Sequence, residues 1–357
     1  MLGIFPIGFD SYMNDLGIPY QILNDSTAAN YAGLATGCLI FIPLVHKYGR
    51  RPFYILSSAI QLASAIWAAS VKSSGEIVAS NLLAGIGGAI SEAIVLITIV
   101  DLFFIHQHAR LNGTFVLVQS TGAFGGPAAA GFIIDSMGWR WMWWWTAIFL
   151  GVNLVLVCCF FEETKYVPPI IGPQARPQDQ SSTTQHDDKK TESYEHVDNV
   201  SVKYNFEDVP RPNPLSKRLA LITKSDTSVR HHYYLPFQIL FTFPAVAYAS
   251  ITYGLLLAWF SVITSASSYF LLKPPYNFTP SSVGLFSISA LIGTLIGIFT
   301  GAPLSDRSIL WLSKRNGGIF EPEMRLWVAF PGALLCTVGI LIYGLCLARV
   351  CPFTIIP

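Results

Sequence analysis

Hydrophobic residues along the 357-residue chain gather in long runs, and the polar positions between them form short breaks. A bilayer core about 30 Å thick needs roughly 20 apolar residues per helix. Eight runs reach that length, at 28–46, 52–70, 77–104, 113–134, 141–161, 235–263, 282–303 and 326–347. A membrane β-strand would instead show about ten residues of alternating hydrophobicity. These runs are longer and do not alternate, which predicts transmembrane helices and an all-α integral membrane fold.

Composition agrees, because 52% apolar and 12% charged residues exceed what a soluble fold can bury, and the mean hydropathy is +0.49. Charge then sets the orientation. Lys47, Arg50, Arg51, Arg110, Arg307, Lys314, Arg315 and Arg325 fall on one side, against Lys72, Arg140, Lys273 and Arg349 on the other. Cytoplasmic loops keep the excess of Lys and Arg, so the first side is expected to be cytoplasmic. The sequons at Asn24 and Asn277 then face outside, and the one at Asn199 does not.

Residues 162–232 break the apolar pattern with ten basic and eleven acidic residues, a cluster of prolines (Pro168, Pro169, Pro173, Pro177) and the tract SSTTQHDDKKTES. Such a segment buries too little apolar surface to fold alone and is expected to be a disordered cytoplasmic linker. It divides a five-span bundle at 28–161 from a three-span bundle at 233–357. Residues 1–27 hold three Asp and no Lys or Arg, and 1–9 are too short to span. They are expected to form an external segment following a further upstream span, and the second bundle is expected to be partial.

A short internal repeat supports two bundles. Ile42-Pro-Leu-Val-His-Lys47 aligns with Ala302-Pro-Leu-Ser-Asp-Arg307, each placing Pro-Leu at a helix end and a basic residue beyond it. Repeated halves around a central route are the usual plan of secondary transporters. Glycines at spacing four, such as Gly122 with Gly126 and Gly293, Gly297 and Gly301, let helix backbones approach closely, and Pro127 bends its helix. They are expected to pack helices and build the walls of the route.

The run GCLIFIPLVHKYGRRPFY resembles the loop between the second and third spans of the major facilitator superfamily, Gly-x-Leu-Ala-Asp-Arg-x-Gly-Arg-Arg. Leu44, Gly49, Arg50 and Arg51 match, Lys47 stands for Arg, and Ile42 and His46 occupy the Gly and Asp positions. GAPLSDR supplies Gly301, Asp306 and Arg307 at the equivalent loop of the second half. GAFGGPAAAGF, with Gly122, Gly126, Pro127 and Gly131, is similar to the family's fifth-span motif. DLFFIHQHARLNGTF, GWRWMWWW, FFEETKY, PPYNF and NGGIFEPEMRLW resemble landmarks of fungal proton-coupled exporters and permeases of the drug and polyamine type. The resemblance implies a two-bundle fold, with the eight runs standing for spans two to nine of twelve. It also implies alternating access, a solute held near the bilayer midplane, and proton coupling.

Ionisable groups within a span cost several kcal/mol and are functional candidates for that reason. Glu92 sits mid-run, and Asn81, Gly85, Gly88 and Glu92 step by four, three and four along one helix face expected to point into the bundle. A carboxylate there can exchange a proton, pair with a cationic solute, or serve assembly alone. Asn81 stands where the resembled family often has Arg. Asp101, near the helix end, is expected to act on the gating loop with His46, Lys47, Gly49, Arg50, Arg51, Asp306 and Arg307. Gln119, Tyr248, Tyr253, Trp259 and Ser289 are candidates to complete a solute pocket, whose aromatic faces suit an organic cation. Trp139, Trp141 and Trp143–Trp145 read as an interfacial anchor.

His106 and His108 have no companion ligands nearby, and the six cysteines show no metal spacing, so no metal or cofactor is expected. With no nucleotide loop or nucleophile elbow, an enzyme is not expected. The expected partners are the lipid bilayer, a small-molecule solute and protons, without nucleic acid, and the chain is expected to be monomeric. The plasma membrane is preferred over the vacuole. The competing expectation is a truncated, non-transporting membrane protein, either a sensor or an inactive remnant.

Overall fold

The computed structural model describes residues 3–103, 105–164, 229–274, 276–317 and 329–348. Every regular element among them is helical. A 3-10 turn at Phe5–Gly8 leads into α1 (Phe9–Leu16), α2 (Tyr20–Tyr48), α3 (Arg51–Ala69), α4 (Ser74–Leu102), α5 (Ile105–Met137) and α6 (Trp139–Phe160). The second half holds α7 (Val229–Thr242), α8 (Pro244–Leu271), α9 (Pro280–Arg315) and α10 (Ala329–Ala348). Eight of these helices are long and apolar enough to cross a membrane.

Local chemistry sets the boundaries. Pro19, Pro52, Pro244 and Pro280 stand at or next to helix starts, where a fixed φ is favourable and the missing N–H costs nothing. Thr279 caps α9 by accepting from the Ser282 N–H at 3.4 Å. Gly49 at φ +103° ends α2, and Gly138 at φ +89° separates α5 from α6; only glycine adopts such angles without strain.

The run expected at 235–263 is divided, because Pro244 pushes Phe243 into an extended conformation (φ −109°, ψ 104°) and ends α7 there. The apolar helix accordingly lies at Pro244–Leu271. The second half's first helix begins at Val229, inside the expected linker, and residues 165–228 of that linker lie outside the described residues. The first spanning helix starts at Tyr20, ahead of the expected residue 28.

In the first half, α2 packs chiefly on α4, while α3 packs on α4 and α6. The α2–α4 crossing is a backbone contact: a Cβ on Gly33 would meet the Leu82 carbonyl, and one on Gly85 would meet the Asn30 carbonyl. The Asn30 side chain donates to the Asn81 carbonyl at 2.9 Å across the same seam. By contrast α5 touches α4 and α6 only lightly and packs chiefly on α9. There Gly131 faces the Pro280 carbonyl, and a Cβ on Gly284 would come within 2.6 Å of the Pro127 carbonyl.

The glycines of α9 correct the sequence expectation. Among the described residues nothing lies within 4 Å of a Cβ on Gly293, Gly297, Gly301 or Gly122, and α9 meets α5 near Gly284, at its first turns. Gly126 contacts only the Ile4 side chain, at 3.4 Å.

One end of the molecule carries Arg50 and Arg51 and is called the basic end below; the other is the distal end. Phe5, Phe9, Tyr12, Leu23, Trp139, Trp143, Leu271 and Val283 form an apolar cluster at the distal end that draws on both halves. Its polar edges are satisfied: the Trp143 indole donates to the Tyr12 hydroxyl at 2.6 Å and the Trp139 indole donates to Asp15 at 2.8 Å. Trp139 and Trp143 are therefore buried parts of this cluster, and not the interfacial anchor expected of them. Trp141, Trp144 and Trp145 remain exposed on the outer face of α6.

Candidate functional site

Glu92 lies two-thirds of the way along α4 and lines a cavity of about 270 Å3 with Leu34, Gln61, Gly88, Ser91 and Thr146. Its Oε2 accepts a hydrogen bond from Gln119 Nε2 of α5 at 2.8 Å. Leu34 also walls a second cavity of about 550 Å3 between α2 and α8, lined by Tyr31, Cys38, Gly254 and Ser261. Tyr31 and Cys38 of α2 and Tyr253 of α8 lie within electrostatic reach of the Glu92 carboxylate. Tyr31 and Ser261 line this second cavity together, so polar side chains of the two halves face each other near the carboxylate.

Among the described residues lining these two cavities, Glu92 carries the formal charge, and Lys and Arg are absent. An acidic side chain within a span is costly to leave unpaired and can pair with a cationic group. Tyrosine faces add attraction for an organic cation, about 0.5 to 2 kcal/mol each.

The structure brings Glu92, Gln119 and Tyr253 into one neighbourhood. It places Asn81 apart from them. That side chain is buried, donates to the Ile77 carbonyl of its own helix at 3.0 Å, and belongs to the α2–α4 seam. Eleven residues separate it from Glu92, about 16 Å along the helix. Tyr248 and Trp259 are half exposed on α8, and the described contacts do not tie them to Glu92. Ser289 is exposed and donates back to the Phe286 carbonyl at 2.7 Å. Tyr31 and Ser261 escaped sequence reading, since a tyrosine and a serine in apolar helices carry no motif.

At the basic end a second constellation holds the loop between α2 and α3. Arg50 Nη2 pairs with Asp101 Oδ2 at 2.9 Å, joining that loop to the end of α4. The Glu163 carboxylate accepts from the Arg50 N–H at 2.9 Å and from the Arg51 N–H at 3.2 Å. The Arg51 guanidinium donates to the Cys158 carbonyl at 3.0 Å. A Cβ on Gly49 would press on the Glu163 carboxylate, which would have to shift, and the φ of +103° is what calls for glycine there. Composition alone places Glu163 in the linker, yet its carboxylate holds this loop. Its position just past an apolar run, in FFEETKY, was the available signal.

His46 stacks on His232 with ring centroids 5.3 Å apart, linking α2 to α7, and the Lys47 ammonium lies 5.5 Å from the Tyr48 ring. Arg307 is exposed on α9. The Asp306 side chain, and those of His106, His108 and Arg110, lie outside the described residues. Among the described residues no group of three or more His, Cys, Asp or Glu is arranged to hold a metal ion.

Comparison with known proteins fits this geometry. The family model described as Major Facilitator Superfamily matches residues 1–356. An uncharacterized MFS-type transporter of Schizosaccharomyces pombe is 28% identical over 95% of this chain and 63% of its own length. Protein HOL1 of Saccharomyces cerevisiae is 27% identical over 96% of this chain and 66% of its own length. The MFS transporter cpaT of Aspergillus oryzae is 28% identical over 87% of this chain and 57% of its own length. The chain thus spans roughly three-fifths to two-thirds of the length of these curated relatives. With eight span-length helices in two packed halves and a family match across nearly its whole length, this chain belongs to the Major Facilitator Superfamily and is an integral, multi-pass membrane protein.

Proposed function

We propose that the chain serves proton-coupled secondary transport of a small organic cation, of the drug or polyamine kind, by alternating access. The observation that carries this reading is the Glu92 carboxylate, set within a span, lining a cavity and hydrogen-bonded to Gln119. Proton and cation would compete for one carboxylate, so that loading either one displaces the other. The basic end is cytoplasmic on the Lys and Arg count, and the clamp of Arg50, Asp101 and Glu163 stiffens the loop on which that end turns. The plasma membrane is the proposed location and the monomer the proposed unit.

The test is flux in proteoliposomes containing the full chain, with radiolabelled spermidine and tetraphenylphosphonium as probes. Uptake of either probe should follow an imposed pH gradient, and Glu92→Gln should abolish that dependence. Uptake of neither probe, or flux indifferent to both the gradient and Glu92→Gln, overturns the reading.

A further inference from the structure

The α5 helix belongs to the first half by sequence and to the second half by packing. It touches α4 and α6 lightly and lies chiefly on α9. At the distal end that contact is close. Gly131 abuts the Pro280 carbonyl, Gly284 abuts Pro127, and Asp135 Oδ2 accepts from the Ser281 N–H at 3.0 Å. A carboxylate at the start of a helix is further favoured by the exposed N–H groups and the helix dipole there. Among the described side-chain hydrogen bonds, the one from α5 to α4 is Gln119 to Glu92.

Gln119 therefore holds on the same carboxylate that the proposed solute would occupy. A carboxylate oxygen accepting an amide N–H at 2.8 Å is favourably paired, but an ammonium group is a stronger partner for an anion in a low-dielectric site. The clasp with α9 lies 8 to 16 residues further along the same helix, at Pro127, Gly131 and Asp135. That is about 12 to 24 Å, a span over which a rigid helix transmits a tilt.

We propose that Gln119 is a positioning residue that couples solute binding to the distal gate: it tethers α5 to Glu92 while the site is empty, and a bound cation displaces it. Release of the tether frees α5 to tilt relative to α9, and the distal clasp gives way. The inference rests on the cation site proposed above, but assigns a separate role to a residue on a different helix.

The experiment uses the full chain in proteoliposomes with spermidine and tetraphenylphosphonium as probes. Gln119→Met keeps volume and removes the donor; Gln119→Asn keeps the amide but shortens its reach, and serves if the first variant fails to insert. Both should lower KM several-fold, because the competitor for the carboxylate is gone, and lower kcat about tenfold, because binding no longer reports to the gate. A cysteine pair, Asp135→Cys with Ser281→Cys, reads the gate directly. In the parent background saturating cation should slow cross-linking several-fold, and in the Gln119 variants the rate should not respond to cation. Unchanged KM and kcat together with cation-sensitive cross-linking in the variants would overturn the proposal while leaving the Glu92 site intact. Absence of cation uptake by the parent chain overturns both.

Discussion

The two ends of the molecule are held by different forces. At the distal end, apolar side chains from both halves form one cluster, and α5 and α9 meet backbone to backbone through Gly131 and Gly284. Tyr20 adds a contact across the halves by donating to the Ser265 carbonyl at 3.4 Å. At the basic end the strong interactions stay within the first half, where Arg50, Asp101 and Glu163 bind one loop to the ends of α4 and α6. The described contacts between halves there run between α2 and α7, through His46 with His232 and the Tyr233 hydroxyl with the Ile40 carbonyl. Among the described residues, packing joins the halves at the distal end, while the charged contacts at the basic end stay within the first half. On the function proposed above, this arrangement is read as a carrier closed distally and open toward the basic end.

Breaking the charged end should have the largest effect. Arg50→Ala leaves the Asp101 carboxylate without its ion partner in a place where Arg50 is 7% and Asp101 23% exposed. Removing one member of a buried pair costs about 3 to 5 kcal/mol, and partial exposure of Asp101 favours the lower figure. Thermal unfolding in detergent should show the first half melting earlier, with the distal cross-link between positions 135 and 281 unaffected.

Breaking the distal end should cost less and act differently. Gly131→Leu forces side-chain atoms against the Pro280 backbone, an overpacking penalty of about 1 to 3 kcal/mol. It should separate α5 from α9 and slow that cross-link without lowering the melting of the first half. Gly297→Ala is the matched control, since its Cβ meets nothing within 4 Å. A change of no more than about 0.5 to 1 kcal/mol, in the stabilising direction expected for alanine in a helix, is the prediction there.

The smallest effect concerns pH. Burial raises the Tyr12 phenol above its ordinary value, against a weaker opposing influence from its hydrogen bond with Trp143. The folded state then holds the proton more tightly than the unfolded chain does. Its contribution is complete below pH about 10 and is lost as pH rises above that. Tryptophan fluorescence should report loosening of the distal cluster between about pH 10 and 12, and Tyr12→Phe should remove that response.

Much of this was legible in the sequence because a bilayer imposes a length and a composition on anything that crosses it. Eight runs became eight helices for that reason. Proline placed the one misjudged boundary: apolar content runs unbroken from 235 to 263, but Pro244 restarts the helix and carries it on to Leu271. Gly49, Arg50 and Arg51 were recognised by motif, whereas Glu163 was hidden by the composition of the segment that follows it. Spacing alone could not separate packing glycines from open ones. Gly85 and Gly297 look alike in sequence, and only the crossing of α2 over α4 gives the first a neighbour. Glu92 stood out as a charge within a span, and Gln119 and Tyr253 as polar candidates, but that these two and Tyr31 adjoin it depends on which helices pack together, and no local pattern encodes that.

The most direct test of the proposed carrier, sealed distally and open at the basic end, is the side from which Cys38 can be reached. That thiol lines the cavity between α2 and α8. With the other cysteines replaced by serine, a membrane-impermeant maleimide should label Cys38 when applied from the side of Arg50 and leave it unlabelled from the opposite side. Labelling from the opposite side alone would contradict the account.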